Sequence, residues 1–130
     1  MLNQKKILVA DDEDFVRQLI VTKLKRYGIR IIEADNGVDA IEKAISEKPD
    51  LILLDTLMPK MNGFDASQRL KLNHETAHIP IIMLTTHADF SGMSTEEYSG
   101  SLESFTKPFV PQKLAERIIK ILDQSERTGG

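Results

Sequence analysis

Five side chains in this sequence could do chemistry together: Asp11, Asp12, Asp55, Thr85 and Lys107. Each stands at or just beyond the end of an apolar run. Ile7-Leu8-Val9-Ala10 leads into the acidic stretch Asp11-Asp12-Glu13-Asp14, and Leu51-Ile52-Leu53-Leu54 leads into Asp55. Ile79-Pro80-Ile81-Ile82-Met83-Leu84 leads into Thr85-Thr86, and the segment holding Phe105 leads into Lys107-Pro108-Phe109. Short apolar runs bounded by turn residues read as strands buried on both faces of a parallel sheet. Parallel strands bring their carboxyl ends to one edge, where open α/β sheets bind ligands. Three carboxylates gathered there do not all stay ionised cheaply without a cation. An all-oxygen set suits Mg²⁺, while Lys107 and Thr85 add an ammonium and a hydroxyl for a phosphoryl oxygen. The simplest matching chemistry is phosphoryl transfer to a carboxylate, with Asp55 as nucleophile and the metal and lysine stabilising charge. Each residue also has an ordinary reading: Asp55 as a turn cap, Thr85 as a β-former, and the acids as complements to a helix N-terminus, Asp14 above all.

The elements that must position these groups are legible in order. Strands are expected at Lys5–Ala10, Ile29–Ala34, Leu51–Leu54, Ile79–Leu84 and Leu102–Lys107, the second being more polar and so nearer an edge. A helix from Asp14 carries Val16, Leu19, Ile20, Leu24 and Tyr27 on one stripe and ends at Gly28. After the Asp35-Asn36-Gly37 turn, Val38, Ile41 and Ile45 mark a second helix running to about Lys48, with Pro49 closing it. Pro59 and Asn62-Gly63 turn the chain into a third helix, Phe64 to about Leu72, anchored by Phe64 and Leu70. The segment Ala88–Ser101 holds Gly92, Gly100 and four serines, with Met93 and Tyr98 among its sizeable apolar residues. A helix there has low propensity and is expected to be short, mobile or partly unwound, with fast amide exchange over Met93–Ser101. A final helix from Pro111 to about Gln124 has Leu114, Ala115, Ile118, Ile121 and Leu122 on one side. The alternation predicts a doubly wound (βα)5 parallel sheet forming one domain over residues 1–124, with a polar, frayed tail at 125–130.

Composition narrows the function. The 130 residues carry 17 Lys and Arg against 20 Asp and Glu, a net charge of -3, which argues against binding nucleic acid or an anionic membrane by bulk charge. Cysteine is absent, which excludes disulfides, thiolate catalysis and Cys-ligated zinc. His74, His78 and His87 are too scattered for a metal motif. There is no apolar leader and no run of membrane-spanning length, so a cytoplasmic location is expected.

Four motifs in order now carry a resemblance: Ile7-Leu8-Val9-Ala10-Asp11-Asp12, Asp55-Thr56-Leu57-Met58-Pro59-Lys60-Met61-Asn62-Gly63, Met83-Leu84-Thr85-Thr86, and Phe105-Thr106-Lys107-Pro108-Phe109. Over about Lys5 to Gln124 the sequence resembles the receiver domain of two-component response regulators. The resemblance implies a flavodoxin-like fold with strand order 2-1-3-4-5 and helices on both faces. It makes Asp55 the phospho-acceptor, with Mg²⁺ held by Asp12, Asp55 and the Leu57 carbonyl and, largely through water, by Asp11. Thr85 would hydrogen-bond the phosphoryl group, Lys107 would pair with it, and Pro108 would follow a cis peptide bond. The donor would be a phosphohistidine on a sensor kinase or a histidine phosphotransfer protein. The domain would act as a switch, catalysing only its own phosphorylation and dephosphorylation.

Departures from the family pattern bear on the output. The aromatic that usually stands three residues before the lysine is Ser104 here, and Phe105 should face the other way by strand alternation. Thr85–aromatic coupling is therefore in question. The resemblance implies that Leu57 and His87 stand where the family tunes attack of water on the acyl phosphate, so Leu57→Asn is expected to change the phosphoryl lifetime; an unchanged hydrolysis rate would refute it. Other readings stay open: a degenerate receiver that docks without phosphorylation, a small Mg²⁺-dependent aspartate phosphatase, or a flavodoxin-like nucleotide or flavin binder. A phosphatase normally needs a cap, for which there are no spare residues, and a nucleotide binder needs a phosphate loop where this chain is acidic. Output is expected through a downstream effector or an output domain outside these residues, without direct contact to nucleic acid or membrane. A weak homodimer stays open.

Overall fold

The computed structural model describes residues 4–85 and 103–129. Along the chain it forms β1 (Lys6–Ala10), α1 (Asp14–Lys25), β2 (Arg30–Ala34), α2 (Gly37–Glu47), β3 (Leu51–Asp55), α3 (Gly63–Leu72), β4 (Ile81–Thr85), β5 (Glu103–Thr106) and α4 (Pro111–Gly129). All neighbouring strands pair in parallel, in the order β2-β1-β3-β4-β5. The expected doubly wound sheet of order 2-1-3-4-5 is what forms. Segment Ala88–Ser101, including Met93 and Tyr98, lies outside the described residues, as do His87 and Thr86.

The sheet splits its side chains between two cores by strand alternation. Ile7, Val9, Leu51, Leu53, Ile82 and Leu84 face α1 and α4. Leu8, Ala10, Ile52, Leu54, Ile81 and Met83 face α2 and α3. The central strands are buried along almost their whole length, whereas the outer two are polar: β2 has exposed Arg30, and β5 alternates half-buried and exposed residues. Leu114, Ala115, Ile118, Ile121 and Leu122 of α4 are buried as their spacing predicts.

Several helices depart from the expected detail. In α1 the buried residues are Ile20, Val21 and Leu24, and Leu19 turns outward. A stripe centred on 20 and 24 leaves 19 about 100° off at the solvent margin. In α2 the inward residues are Gly37, Ala40 and Ala44, while Val38 is exposed and Ile41 and Ile45 sit at the margin. Small residues there let the helix lie close to the sheet, and it ends at Glu47 with Lys48 as a left-handed cap at φ 49°. Asp14 is the first residue of α1; the cap position belongs to Glu13, whose side chain makes no capping bond. β4 starts two residues later than the apolar run, at Ile81. Ile79 N–H donates to Thr76 O, Pro80 has no N–H, and the Ile79 carbonyl accepts from Lys71 Nζ at 2.7 Å. Burial lowers the pKa of that lysine. The final helix continues to Gly129, beyond Gln124, since Ser125-Glu126-Arg127-Thr128 contains no breaker.

Candidate functional site

The register sets the carboxyl ends of four adjacent strands side by side. Ala10 pairs with Leu54, Asp55 with Leu84, and Thr85 with Thr106. Asp11, Asp55, Thr85 and Lys107 therefore emerge at one edge. One carboxylate oxygen from each of Asp11, Asp12 and Asp55 lies within 4.8 Å of the others. Asp11 is fully buried and Asp55 nearly so, while Asp12 is exposed and forms the open side of the cluster.

The buried acids are held by dedicated partners. Asp11 Oδ1 accepts from the Glu13 N–H at 2.9 Å and Oδ2 accepts from Lys107 Nζ at 3.0 Å. The Asp11 carbonyl accepts from Arg17 Nη1 at 2.8 Å, and Arg17 is itself fixed by Glu33 at 2.8 Å and Asp14 at 2.6 Å. Lys107 Nζ also donates to Asp55 Oδ1 and Glu13 Oε1, both at 3.1 Å. Its own N–H donates to the Thr85 carbonyl, and the following Lys107–Pro108 bond is cis. Ser104 is exposed on β5, whereas Phe105 is half-buried against the α1/α4 core, so the two face opposite ways.

The loop after Asp55 is built tightly. Thr56 N–H donates to Leu84 O, and Gly63 N–H returns to Thr56 O at 2.9 Å. Met61 N–H donates to Pro59 O across Lys60, whose φ of 68° is the strained central position of a γ-turn. The Asn62 side chain caps α3 by accepting from Asp65 N–H at 2.9 Å. Leu57 projects from this loop with 63 % of its surface exposed, beside the acidic edge.

Charge is unevenly tolerated here. Burial, reinforced by Asp11 and only partly offset by Lys107, raises the Asp55 carboxyl to about 7. Burial alone would lower the Lys107 ammonium, but hydrogen bonding and attraction to Asp11, Asp55 and Glu13 outweigh it and raise its pKa. The site thus retains its cation and lacks positive charge for its carboxylates. Oxygen donors without nitrogen or sulfur, partly open to solvent, fit a hard divalent cation such as Mg²⁺.

Thr85 Oγ1 is buried and has no hydrogen-bond partner among the described residues. Such an orphan destabilises unless a ligand or water satisfies it. Thr85→Val should therefore stabilise the metal-free, unphosphorylated protein by about 1 kcal/mol, read as a higher urea midpoint. A lower midpoint would mean the hydroxyl is already satisfied.

Residue types alone did not single out Glu13 as a partner of Lys107 or Arg17 as the clamp on Asp11. The available signal was Arg17 three residues beyond Asp14 on a helix, a spacing that brings charges together.

Fold and site together define a flavodoxin-like α/β domain with an acidic, oxygen-lined pocket at its carboxyl edge. Residues 7–119 match the response regulator receiver domain family. The chain is 38% identical over 122 residues to the alkaline phosphatase synthesis transcriptional regulatory protein PhoP of Bacillus subtilis, covering 94% of this chain and 50% of that protein. It is 38% identical over 125 residues to the phosphate regulon transcriptional regulatory protein PhoB of Pseudomonas aeruginosa, covering 96% and 53%. The chain thus spans about half the length of these curated relatives. Among solved structures, a putative response regulator from Chloroflexus aurantiacus superposes with a TM-score of 0.82 at 29% identity, covering 92% of this chain and 98% of that one. The chemotaxis response regulator CheY4 of Vibrio cholerae superposes at 0.81 with 28% identity, covering 90% and 98%. This chain belongs to the receiver domains of two-component response regulators, a family of signalling domains. Among its described residues no helix is long and apolar enough to cross a membrane.

Proposed function

We propose that this domain is a phosphorylation-activated switch in which Asp55 accepts a phosphoryl group from a phosphohistidine on a sensor kinase or histidine phosphotransfer protein. The observation that carries the reading is a nearly buried Asp55 bonded to Lys107, clustered with Asp11 and Asp12 and sharing its sheet edge with the Thr85 hydroxyl, which has no partner among the described residues. Asp55, Asp12 and the Leu57 carbonyl would hold Mg²⁺ directly and Asp11 through water; the ion supplies charge that keeps Asp55 ionised and offsets the transferring group. An Asp55 carboxylate oxygen attacks phosphorus and the P–N bond to the donor imidazole breaks. The bonding pair stays on the ring nitrogen, which takes a proton from water. Lys107 pairs with one phosphoryl oxygen, and the Thr85 hydroxyl donates to another.

Thr85 so engaged would be drawn toward Asp55, and β4 and β5 would transmit the shift. With Ser104 in place of an aromatic, no ring follows Thr85 from that position, and β5 itself becomes the relay. Leu57 at the mouth of the site, lacking any hydrogen-bonding group, would tune access of water to the acyl phosphate; His87 is assigned a like role from sequence alone. The domain turns over no separate substrate in this reading. Output passes to an effector protein or to an output domain beyond these residues, and nucleic acid is not contacted directly.

The test is intact mass after adding acetyl phosphate, with Mg²⁺ and then with a chelator, for the wild type and Asp55→Asn. One phosphoryl adduct requiring both Mg²⁺ and Asp55 is expected. No adduct under any condition would favour a docking module that works without phosphorylation.

A further inference from the structure

A lysine ammonium has three donors and no acceptor. In this structure Lys107 is bonded to three carboxylates, Asp11 at 3.0 Å and Glu13 and Asp55 at 3.1 Å each. A phosphoryl oxygen that pairs with Lys107 must therefore displace one of them. The three are not equivalent. Asp11 is fully buried and the Asp55 side chain only 7 % exposed, so while the donor approaches, before phosphorus bonds to Asp55, releasing either strands a carboxylate away from water. Glu13 has 60 % of its side chain exposed and can be released into solvent. It also lies outside the three-carboxylate cluster suited to a cation. Its side chain does not cap α1, so it has no capping duty in the helix that follows.

We infer that Glu13 is a latch on Lys107: it holds the ammonium against the acidic wall before phosphorylation and competes with the incoming phosphoryl group for it. The inference rests on the proposed function and adds to it a positioning residue that acts through Lys107. Glu13 sets how readily the site accepts a donor.

The experiment measures the rate of adduct formation from acetyl phosphate in Mg²⁺ for wild type, Glu13→Ala and Glu13→Gln. Glu42→Ala, which removes the same charge from an exposed position on α2, controls for net charge. An exposed ion pair of this kind corresponds to about a two- to fivefold acceleration in Glu13→Ala, with Glu13→Gln between it and wild type. Glu42→Ala should match wild type. In a Lys107→Ala background the Glu13 substitution should lose its effect, which a merely structural role or rim repulsion alone would not produce. A second readout needs no phosphorylation: in Glu13→Ala the Lys107 side-chain ¹⁵N resonance should shift and its protons exchange faster. An unchanged or slower rate in Glu13→Ala, an equal acceleration in Glu42→Ala, an effect that survives in the Lys107→Ala background, or an unmoved Lys107 resonance would overturn the latch. If wild type itself takes no adduct, the proposed function fails and the latch with it. If wild type reacts normally and Glu13→Ala does not differ, only the latch fails.

Discussion

Gly63→Ala will destabilise this domain by about 3 kcal/mol, the upper range for forcing a methylene into a packed position. A Cβ at position 63 would stand 2.1 Å from the Asp55 carbonyl oxygen, 2.9 Å from its carbon and 3.0 Å from Thr56 Cα. All three are backbone atoms, so no side-chain rotation relieves the overlap. Either α3 backs away from the sheet or the end of β3 moves, and the second displaces the residue on which the site depends. A drop in melting temperature of roughly 10 °C is expected for a domain of this size, together with a lower yield of acetyl phosphate adduct at temperatures where the fold survives. Gly37 is in the same situation on the other flank, where a Cβ would meet the Met61 carbonyl oxygen at 2.1 Å. The Thr56–Gly63 connection is thus pressed from both α2 and β3. A Gly63→Ala variant melting within a degree or two of wild type would show that the junction is looser than these distances imply.

The second large effect has the opposite sign. In the absence of Mg²⁺, Asp55→Asn should stabilise the protein at pH 8. Burial, with Asp11 adding to it, lifts the Asp55 pKa in the folded state to about 7 from the ordinary 3.8. The unfolded chain therefore releases this proton near pH 4 and the folded chain only near pH 7. Between those values the unfolded state binds fewer protons, so wild-type stability falls as pH rises and levels off above about 7. Asparagine does not titrate, and Lys107 keeps Asp11 and Glu13 as partners in the variant. The gain at pH 8 is about 2–4 kcal/mol, discounted for the charge Asp55 shares with Lys107. It should shrink toward zero as pH approaches 4. Urea unfolding of both proteins in chelator at pH 4, 6 and 8 measures it. A pH-independent difference would refute the account, and added Mg²⁺ should narrow the gap at pH 8 by stabilising wild type.

The sheet and its chemical edge were legible because doubly buried strands must be apolar. Ile7–Ala10, Leu51–Leu54 and Ile81–Leu84 could hardly be anything else, and the residues that end them fall together once the strands run parallel. Helix faces were less legible. Val38, Ile41 and Ile45 outweigh Ala40 and Ala44 on any hydrophobicity scale, yet closeness to the sheet favours the alanines. Leu19 and Val21 exchange places for the same reason: a few tens of degrees of helix rotation, set by packing, decides which is buried. Gly63 reads as turn chemistry, and only the fold reveals that it is the floor under Asp55. The ties of Glu13 and Arg17 to the site depend on where β5 and β2 come to lie, which no local pattern encodes.

The polar outer strands have a further consequence, for colloidal behaviour. The inner segments ILVA, LILLD and IIMLT are short, β-prone and nearly uncharged, the composition that stacks into fibrils when exposed. In the folded sheet they are shielded by β2, bearing Arg30 and Glu33, and by the four-residue β5, bearing Glu103. Charge and brevity make poor templates for a neighbouring molecule. Lys107, just beyond β5 and bonded to Asp11 and Asp55 near the middle of the sheet, helps keep that shield fastened. Any change that frees β5 from the sheet therefore risks uncovering an adhesive surface, and solubility depends on the same bonds that prepare the site.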